Sequence, residues 1–288
     1  MRHSVRRSFK DSFVAIVLAA LVPTSVQGCS GDDEGAPTDA GGRAETSVTA
    51  CASTRGPAMS RVDVPSDSFC VDQTEVTREQ YERFLADAPA FTSETLPEAC
   101  RAVADHAPSA ECASSTDLCV GDGCGRYPQT CIGFCDAAAF CAWSGKELCG
   151  DIGGGYGVRT VDEQVGGRWT AACGNGLDAE GGPSQKFAYG SAYSAARCNT
   201  ETGTVAEVAS YPQCEAASAE SVFDLSGNVA EFTGVLRQSG EGGELRATAR
   251  GTAGFGFNAG NGTCDALIDV PLDYRLPEVG FRCCKSVQ

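Results

Sequence analysis

The chain has 288 residues, of which 17 are cysteine, and its 38 acidic residues outnumber 22 basic ones, giving a formal net charge of −16. This length suffices for one large domain. The cysteine content argues against a reducing cytosol, and the acidity argues against a nucleic-acid partner, because a phosphate backbone needs a cationic surface. Only two histidines are present, which leaves little material for histidine-based catalysis or a histidine-rich metal site.

The N-terminal segment has the pattern of a secretory signal. Four basic residues flank the start of an apolar run at 13–22 that is too short for a stable bilayer anchor. The next small residues end at Cys29 and resemble the lipobox of bacterial lipoproteins. The resemblance implies a lipoprotein signal peptide over 1–28 and lipidation of Cys29. We expect export through the inner membrane and a lipid anchor in the cell envelope, at the outer membrane or on the periplasmic face; ordinary secretion is the alternative.

The composition changes after this segment. Residues 29–50 begin with the predicted lipidation site. They contain no aromatic residue, and Val48 is their one aliphatic side chain larger than alanine. Such a segment buries too little apolar area to offset its conformational entropy, so it predicts a flexible linker. Residues 51–288 contain cysteines and aromatics throughout, without a second linker. They predict one domain.

The cysteine count becomes even once the lipidated residue is set aside. Sixteen cysteines remain after Cys29, which predicts up to eight disulfides in an oxidising compartment while leaving their pairing open. The adjacent Cys283 and Cys284 are expected to bond to different partners, because a bridge between neighbours is strained.

Regular secondary structure is predicted to be sparse. Thr77 and Gln80 form a capping-box pattern at the start of a helix over 78–86. Asp136 is the predicted N-cap of a second helix, which Gly145 ends. Short β-like runs occur at 68–72, 221–225, 246–250 and 279–284. The pattern predicts an α+β domain with much irregular chain, stapled by disulfides.

Common catalytic and cofactor motifs are missing from the sequence. The chain contains no C-x-x-C pair, no phosphate-binding glycine loop and no G-x-S-x-G turn. His106 is predicted to be a solvated loop histidine, Trp143 and Trp169 core residues, and Arg282 the partner of a buried acid. We expect the cysteine-dense loop at 100–124 to be either a disulfide-stapled surface loop that binds a ligand or a disulfide-stabilised surface loop without a binding role.

Five patches occur in a characteristic order along the chain. They are FCVDQTEVTREQYERF at 69–84, CIGFCDAAAFCAWSGKELCG at 131–150, RWTAACGNG at 168–176 with FAYGSAYSAARCN at 187–199, VFDLSGNVAEF at 222–232, and ARG at 249–251 with YR at 274–275 and VGFRCC at 279–284. In this order they resemble the formylglycine-generating enzyme family, also called the sulfatase-modifying factors. The resemblance covers about residues 56–284 and implies the family's α+β fold, which is similar to C-type lectins and has little regular secondary structure.

The resemblance also implies a structural calcium ion. Calcium prefers six to eight hard oxygen ligands, and the family's site corresponds here to the side chains of Asp224 and Glu231 and the carbonyls of Gly227 and Val229. The alternative is a structural turn in which Asn228 and Glu231 bond only to backbone. A second family site begins at Asn199 and Thr200, but no acidic and aromatic partners are evident downstream, which weakens the case for it.

The active site of the family is where this sequence departs from the pattern. Active members carry two cysteines after the Arg-Gly strand that hold copper(I), a soft ion that prefers thiolates. Gly256 and Asn261 stand at those positions, and Cys264 is the only remaining candidate nearby. Because one thiolate cannot form a two-sulfur site, we expect neither copper nor formylglycine-generating activity.

Two hypotheses follow from these observations. The first is a lipid-anchored, non-catalytic, monomeric domain that binds a protein partner or a glycan in the envelope. The alternative is a sulfatase-maturing or related oxidase that uses an altered metal site near Cys264.

Overall fold

A computed structural model describes residues 50–114, 118–160, 166–240, 242–256 and 260–287. All of them belong to one compact unit. The predicted signal peptide, the lipidation site Cys29 and nearly all of the predicted linker lie outside these residues. Within the described ranges, no helix is long and apolar enough to cross a membrane.

The helices and strands in the described part of the chain are short. The helices are α1 (Arg78–Asp87), α2 (Ala110–Ala113), α3 (Phe134–Trp143) and α4 (Arg168–Cys173), with 3-10 turns at Glu98–Cys100 and Asp122–Cys124. The strands are β1 (Met59–Val64), β2 (Asp67–Asp72), β3 (Glu147–Leu148), β4 (Gly157–Thr160), β5 (Ala230–Gln238), β6 (Leu245–Arg250), β7 (Leu267–Pro271), β8 (Val279–Phe281) and β9 (Cys283–Ser286). This mixed content confirms the predicted α+β class.

The two predicted helices form, and their caps can be compared with the sequence pattern. At α1 the Thr77 side chain accepts from the Gln80 backbone N–H, and the Gln80 side chain accepts from the Thr77 backbone N–H, so the predicted capping box is confirmed. Helix α3 begins earlier than predicted, with Gly133 as its N-cap. Asp136 is therefore not the N-cap; it lies in the first turn and accepts from the Gly133 N–H at 2.8 Å.

The strands form two sheets that the closing segment of the chain joins. The first sheet has the order β1-β2-β9-β3, with antiparallel neighbours. The second has the order β4-β5-β6-β7, and β8 pairs with β5 off this path. Strand β8 thus belongs to the second sheet and β9 to the first, with Arg282 between them.

One predicted strand is absent. Residues 221–225 make only an isolated bridge, between Phe223 and Glu215. The backbone at Ser221 and Asp224 has φ of 61° and 63°, a left-handed conformation that interrupts an extended strand. The prediction for this run was wrong for that reason.

The main core lies between α1, α3 and the second sheet. Helix α3 is buried along almost its whole length, and Phe140 packs against Tyr81, Phe84 and Phe281 with ring centroids 5.4–5.8 Å apart. Burial of each such side chain contributes about 1.5–3 kcal/mol. Trp143 and Trp169 are also buried, as predicted.

Eight disulfides hold this largely irregular chain together. They are Cys51–Cys70, Cys100–Cys135, Cys112–Cys131, Cys119–Cys124, Cys141–Cys283, Cys149–Cys284, Cys173–Cys264 and Cys198–Cys214. The adjacent Cys283 and Cys284 bond to different partners, which confirms that expectation. All sixteen cysteines from Cys51 onward are paired.

Candidate functional site

The motif at 222–231 is built around a buried ion pair. Arg282 donates from Nε to Glu231 Oε2 and from Nη2 to Glu231 Oε1, both at 2.7 Å. The indole Nε1 of Trp169 donates to Glu231 Oε2 at 2.7 Å. Arg282 and Glu231 are fully buried. The predicted pairing of Arg282 with a buried acid is therefore confirmed.

The rest of the Arg282 guanidinium bonds to backbone. Its Nη1 donates to Asp72 O at 3.0 Å and its Nη2 to Phe223 O at 2.8 Å. Burial disfavours the charged guanidinium, but the pairing with Glu231 outweighs it and raises the pKa of Arg282 further. The side chain therefore stays charged. Because Arg282 lies between β8 and β9, its guanidinium reaches residues of both sheets and connects the motif to β2.

Burial favours the protonated form of two acids in this region, Asp224 of the motif and Glu75, which precedes α1. Burial raises the pKa of Asp224 to about 6 and that of Glu75 well above its usual range. Asp224 Oδ2 accepts from the Ala209 N–H at 2.5 Å, and Asn228 Nδ2 donates to Glu75 Oε1 at 2.9 Å. Among the described residues, none donates a hydrogen bond to Glu75 Oε2.

The residues predicted for the two calcium sites lie side by side. Gly227 has φ of 95°, and a Cβ there would come within 2.4 Å of Asn199 O, so glycine is required at this contact. Asn199 Nδ2 donates to Asn228 Oδ1 at 2.8 Å. Thr200 Oγ1 lies 3.2 Å from the Tyr193 hydroxyl. The polar side chains of this region thus bond to one another.

These donors do not fit a calcium ion as they are arranged. A calcium site needs six to eight oxygens turned toward one point, whereas both Glu231 oxygens accept from Arg282 or Trp169. In the described ranges, no group of three or more His, Cys, Asp or Glu is placed to hold a metal. Val229, the fourth predicted ligand, is buried. Calcium binding stays an implication of the resemblance, whereas the geometry supports Arg282 as the cation that neutralises Glu231.

The positions of the family's cysteine pair carry no thiol. Cys264 is fully buried and bonded to Cys173, with the two sulfurs 2.01 Å apart. Gly256 has φ of 73°, and a Cβ there would lie 3.2 Å from the Glu278 side chain, so a cysteine at this position would be strained. Asn261 is half-buried. Neither position therefore supplies a thiolate of the kind that the family's copper site uses.

His106 is not the solvated residue that the sequence predicts. It is only 1% exposed, because the disulfide from Cys100 to Cys135 fastens its loop onto α3. Its Nδ1 lies 3.1 Å from Asp136 Oδ1 and its Nε2 lies 3.0 Å from Phe91 O. Burial opposes protonation, but the hydrogen bonds to Asp136 and Phe91 outweigh it and raise the pKa of His106. Both ring nitrogens therefore act as donors, and His106 has a structural role.

An open cavity of about 560 Å³ lies beside β3 and β9 of the first sheet. Lys146 and Glu147 contribute to its wall, with Tyr156 and Lys285 nearby. Lys146 pairs with Asp72 at 2.6 Å, and Glu147 pairs with Arg168 at 2.8 Å. Lys146 and Glu147 are thus already neutralised within the protein, which argues against a catalytic role for them.

Comparisons with known proteins agree with this fold. Residues 37–287 match the family described as the sulfatase-modifying factor enzyme 1-like domain. Among solved structures, the chain is similar to CarF with 20% identity, a TM-score of 0.51, and 77% of this chain and 87% of that chain covered. PvdO from Pseudomonas aeruginosa has 16% identity, a TM-score of 0.47 and coverages of 80% and 94%.

A third similar structure is the Treponema denticola variable protein 1, with 16% identity, a TM-score of 0.44 and coverages of 81% and 93%. Comparison with curated protein sequences finds no match. At 20% identity, the similarity to CarF supports the fold alone. The family match spans most of the sequence and agrees with the two-sheet architecture and the order of the five sequence patches, so the chain belongs to the sulfatase-modifying factor enzyme 1-like family, that of the formylglycine-generating enzymes.

Proposed function

We propose that this chain is a non-catalytic member of its family: a disulfide-stapled domain that is anchored by lipid at Cys29 and binds a partner or a glycan in the cell envelope. The Cys173–Cys264 disulfide carries the proposal. It removes the one thiol close to the family's active-site positions, and the other fourteen cysteines from Cys51 onward are paired as well.

The backbone at the first active-site position supports the same proposal. Gly256 adopts a left-handed conformation beside Glu278, so restoring a cysteine there costs backbone strain in addition to requiring a second thiol. The alternative, an oxidase with an altered metal site near Cys264, needs a free thiolate, because the thiolate and not the disulfide binds a soft metal. No observation favours that alternative.

The anchor and the envelope location rest on the sequence pattern that ends at Cys29. An envelope location also agrees with eight disulfides, since these persist in oxidising compartments. We expect the purified chain to be a monomer.

A direct assay tests the proposal. The full chain, purified in detergent, is incubated with copper, oxygen and a peptide of the type Cys-x-Pro-x-Arg, and the peptide is analysed by mass spectrometry. We expect the peptide cysteine to remain unchanged, while an active enzyme of the family run in parallel converts it. Formation of the aldehyde by this chain would contradict the proposal.

A further inference from the structure

An exposed aromatic loop, residues 186–197, lies beside the positions of the family's cysteine pair. The Cys264 N–H donates to Lys186 O at 2.9 Å. The Ala188 N–H donates to Ser226 Oγ at 3.0 Å, next to the glycine turn of the 222–231 motif. The aromatic loop therefore lies against Cys264, three residues after the second position of the family's cysteine pair.

Three aromatic rings pack together in the aromatic loop, one pair stacked and the other tilted. Phe187 and Tyr189 are nearly parallel, with centroids 5.5 Å apart and 8° between their planes. Tyr193 packs against the same Phe187 at 5.6 Å. Phe187 is buried, whereas Tyr193 is 40% exposed. The cluster thus has a buried base and presents a tyrosine ring to solvent.

The exposed rings are fixed in place. The Tyr193 hydroxyl lies 3.2 Å from Thr200 Oγ1, and the Tyr189 hydroxyl accepts from the Ser194 N–H at 3.2 Å. Phe187 and Gly190 exchange backbone hydrogen bonds of 2.9 and 3.0 Å. A surface that is ordered before it binds loses less conformational entropy on binding.

The aromatic loop is also basic on an acidic protein. Residues 181–200 contain Lys186 and Arg197 and no acidic side chain, whereas the whole chain has a formal charge of −16. Arg197 lies over the Tyr189 ring at 5.1 Å, and Lys186 lies over Phe187 at 5.8 Å. In the described ranges neither side chain makes a salt bridge. Two cations are therefore available to a negatively charged ligand beside the rings.

We propose that the aromatic loop binds an acidic saccharide, a sugar that carries a carboxylate or phosphate. The apolar face of a sugar ring packs against Tyr193, and the sugar hydroxyls form hydrogen bonds with the tyrosine and serine hydroxyls of the loop. The acidic group of the sugar complements the charges of Lys186 and Arg197. A peptide that adds a strand needs an open sheet edge, and the aromatic loop belongs to no strand of either sheet. This assignment rests on the proposed binding function and names its ligand class.

A glycan array tests the assignment. The full chain in detergent is applied to immobilised glycans that include uronic acids, sialic acids and phosphorylated sugars with their neutral counterparts. We expect retention on acidic glycans, weakening as salt rises because the contact is electrostatic. For the best-retained glycan, we expect Tyr193→Ala, and Lys186→Gln with Arg197→Gln, each to weaken binding at least about tenfold, and Tyr193→Phe to retain it within about threefold.

Matched substitutions on other surfaces serve as controls. Tyr274→Ala removes another exposed tyrosine, which is 51% exposed, and Arg83→Gln removes an exposed cation of α1; both should leave binding unchanged, and melting temperatures report folding. The assignment is overturned if no acidic glycan is retained above its neutral counterpart, if Tyr193→Ala binds as well as Tyr274→Ala, or if a glutamate hexapeptide competes as well as the glycan. The peptide-oxidation assay is independent of glycan binding, so a failure on the array leaves its result intact.

Discussion

Arg282 shows how much of this fold depends on one buried charge. It lies between β8 and β9 and bonds to Glu231, Asp72 and Phe223, so it connects both sheets and the 222–231 motif. The sequence predicts its pairing with an acid, because a buried arginine needs a counterion. It does not identify Glu231, which the resemblance assigns to calcium, since the choice between the two cations depends on side-chain directions that only the folded chain fixes.

Removal of the guanidinium should be costly. We expect Arg282→Met to lower the free energy of unfolding by about 3–5 kcal/mol, because it leaves Glu231 charged and buried without its partner. The double variant Arg282→Met, Glu231→Met should recover part of this loss. Urea denaturation measures both, with the exposed Arg83→Met as the control. A loss below about 1 kcal/mol for Arg282→Met would contradict a structural role for the ion pair.

The same ion pair leads to an expectation for calcium. Because Arg282 and Trp169 already satisfy both Glu231 oxygens, we expect a calcium chelator to leave the melting temperature unchanged. Bound calcium would raise the melting temperature, because a ligand that binds only the folded state stabilises that state. A contrary result would be a melting temperature that falls on chelation, recovers when calcium is added, and does not change on chelation in Asp224→Ala. This result would support the calcium prediction and show that Arg282 is not the only cation that binds this motif.

At the scale of elements, the cap of α1 is predictable from the sequence, whereas the buried elements β5 and α4 are not. The capping box of α1 is a local pattern, and it forms as the sequence indicates. Strand β5 is buried along most of its length, so it shows no alternation of polar and apolar residues that would predict it. Helix α4 is buried on all sides and lacks an amphipathic period for the same reason.

The first turn of helix α3 is held by two basic side chains from distant segments, which pair with Asp136. Asp136 accepts from the Gly133 N–H at the helix start, lies 3.1 Å from His106 Nδ1, and pairs with Arg275 at 3.0 Å. A carboxylate near a helix N-terminus is stabilising, and the two cations hold it there. This arrangement depends on the disulfide-fastened loop, which explains why the sequence alone suggests a solvated histidine.

The His106–Asp136 pair predicts a pH dependence. The pKa of folded His106 lies above its usual value of 6.5, so its stabilisation is complete below about pH 6.5 and is lost as the pH rises through the folded pKa. We expect His106→Gln to cost about 1–3 kcal/mol at pH 6 and less at pH 9. Thermal melts of both proteins across this range measure the difference. An equal cost at both pH values would mean that the charge of His106 contributes nothing.

For the whole molecule, the cysteines account for much of the stability and support the proposed absence of catalysis. The even count predicts complete pairing, but the partners are up to 142 residues apart in sequence, so only the fold determines them. Loops of that length gain most from a disulfide, about 4–5 kcal/mol in the chain-entropy model. The Cys173–Cys264 bridge spans 91 residues and converts the last thiol near the family's active-site positions into a structural bond.

The central claim is that this bond exists and leaves no thiol for catalysis. Alkylation of the unfolded, unreduced chain followed by peptide mass spectrometry tests it most directly. We expect no alkylated cysteine between residues 51 and 288 and recovery of a cross-linked peptide that joins Cys173 to Cys264. Alkylation of Cys264 in a substantial fraction of the molecules would contradict the claim and restore the altered metal site as the better explanation.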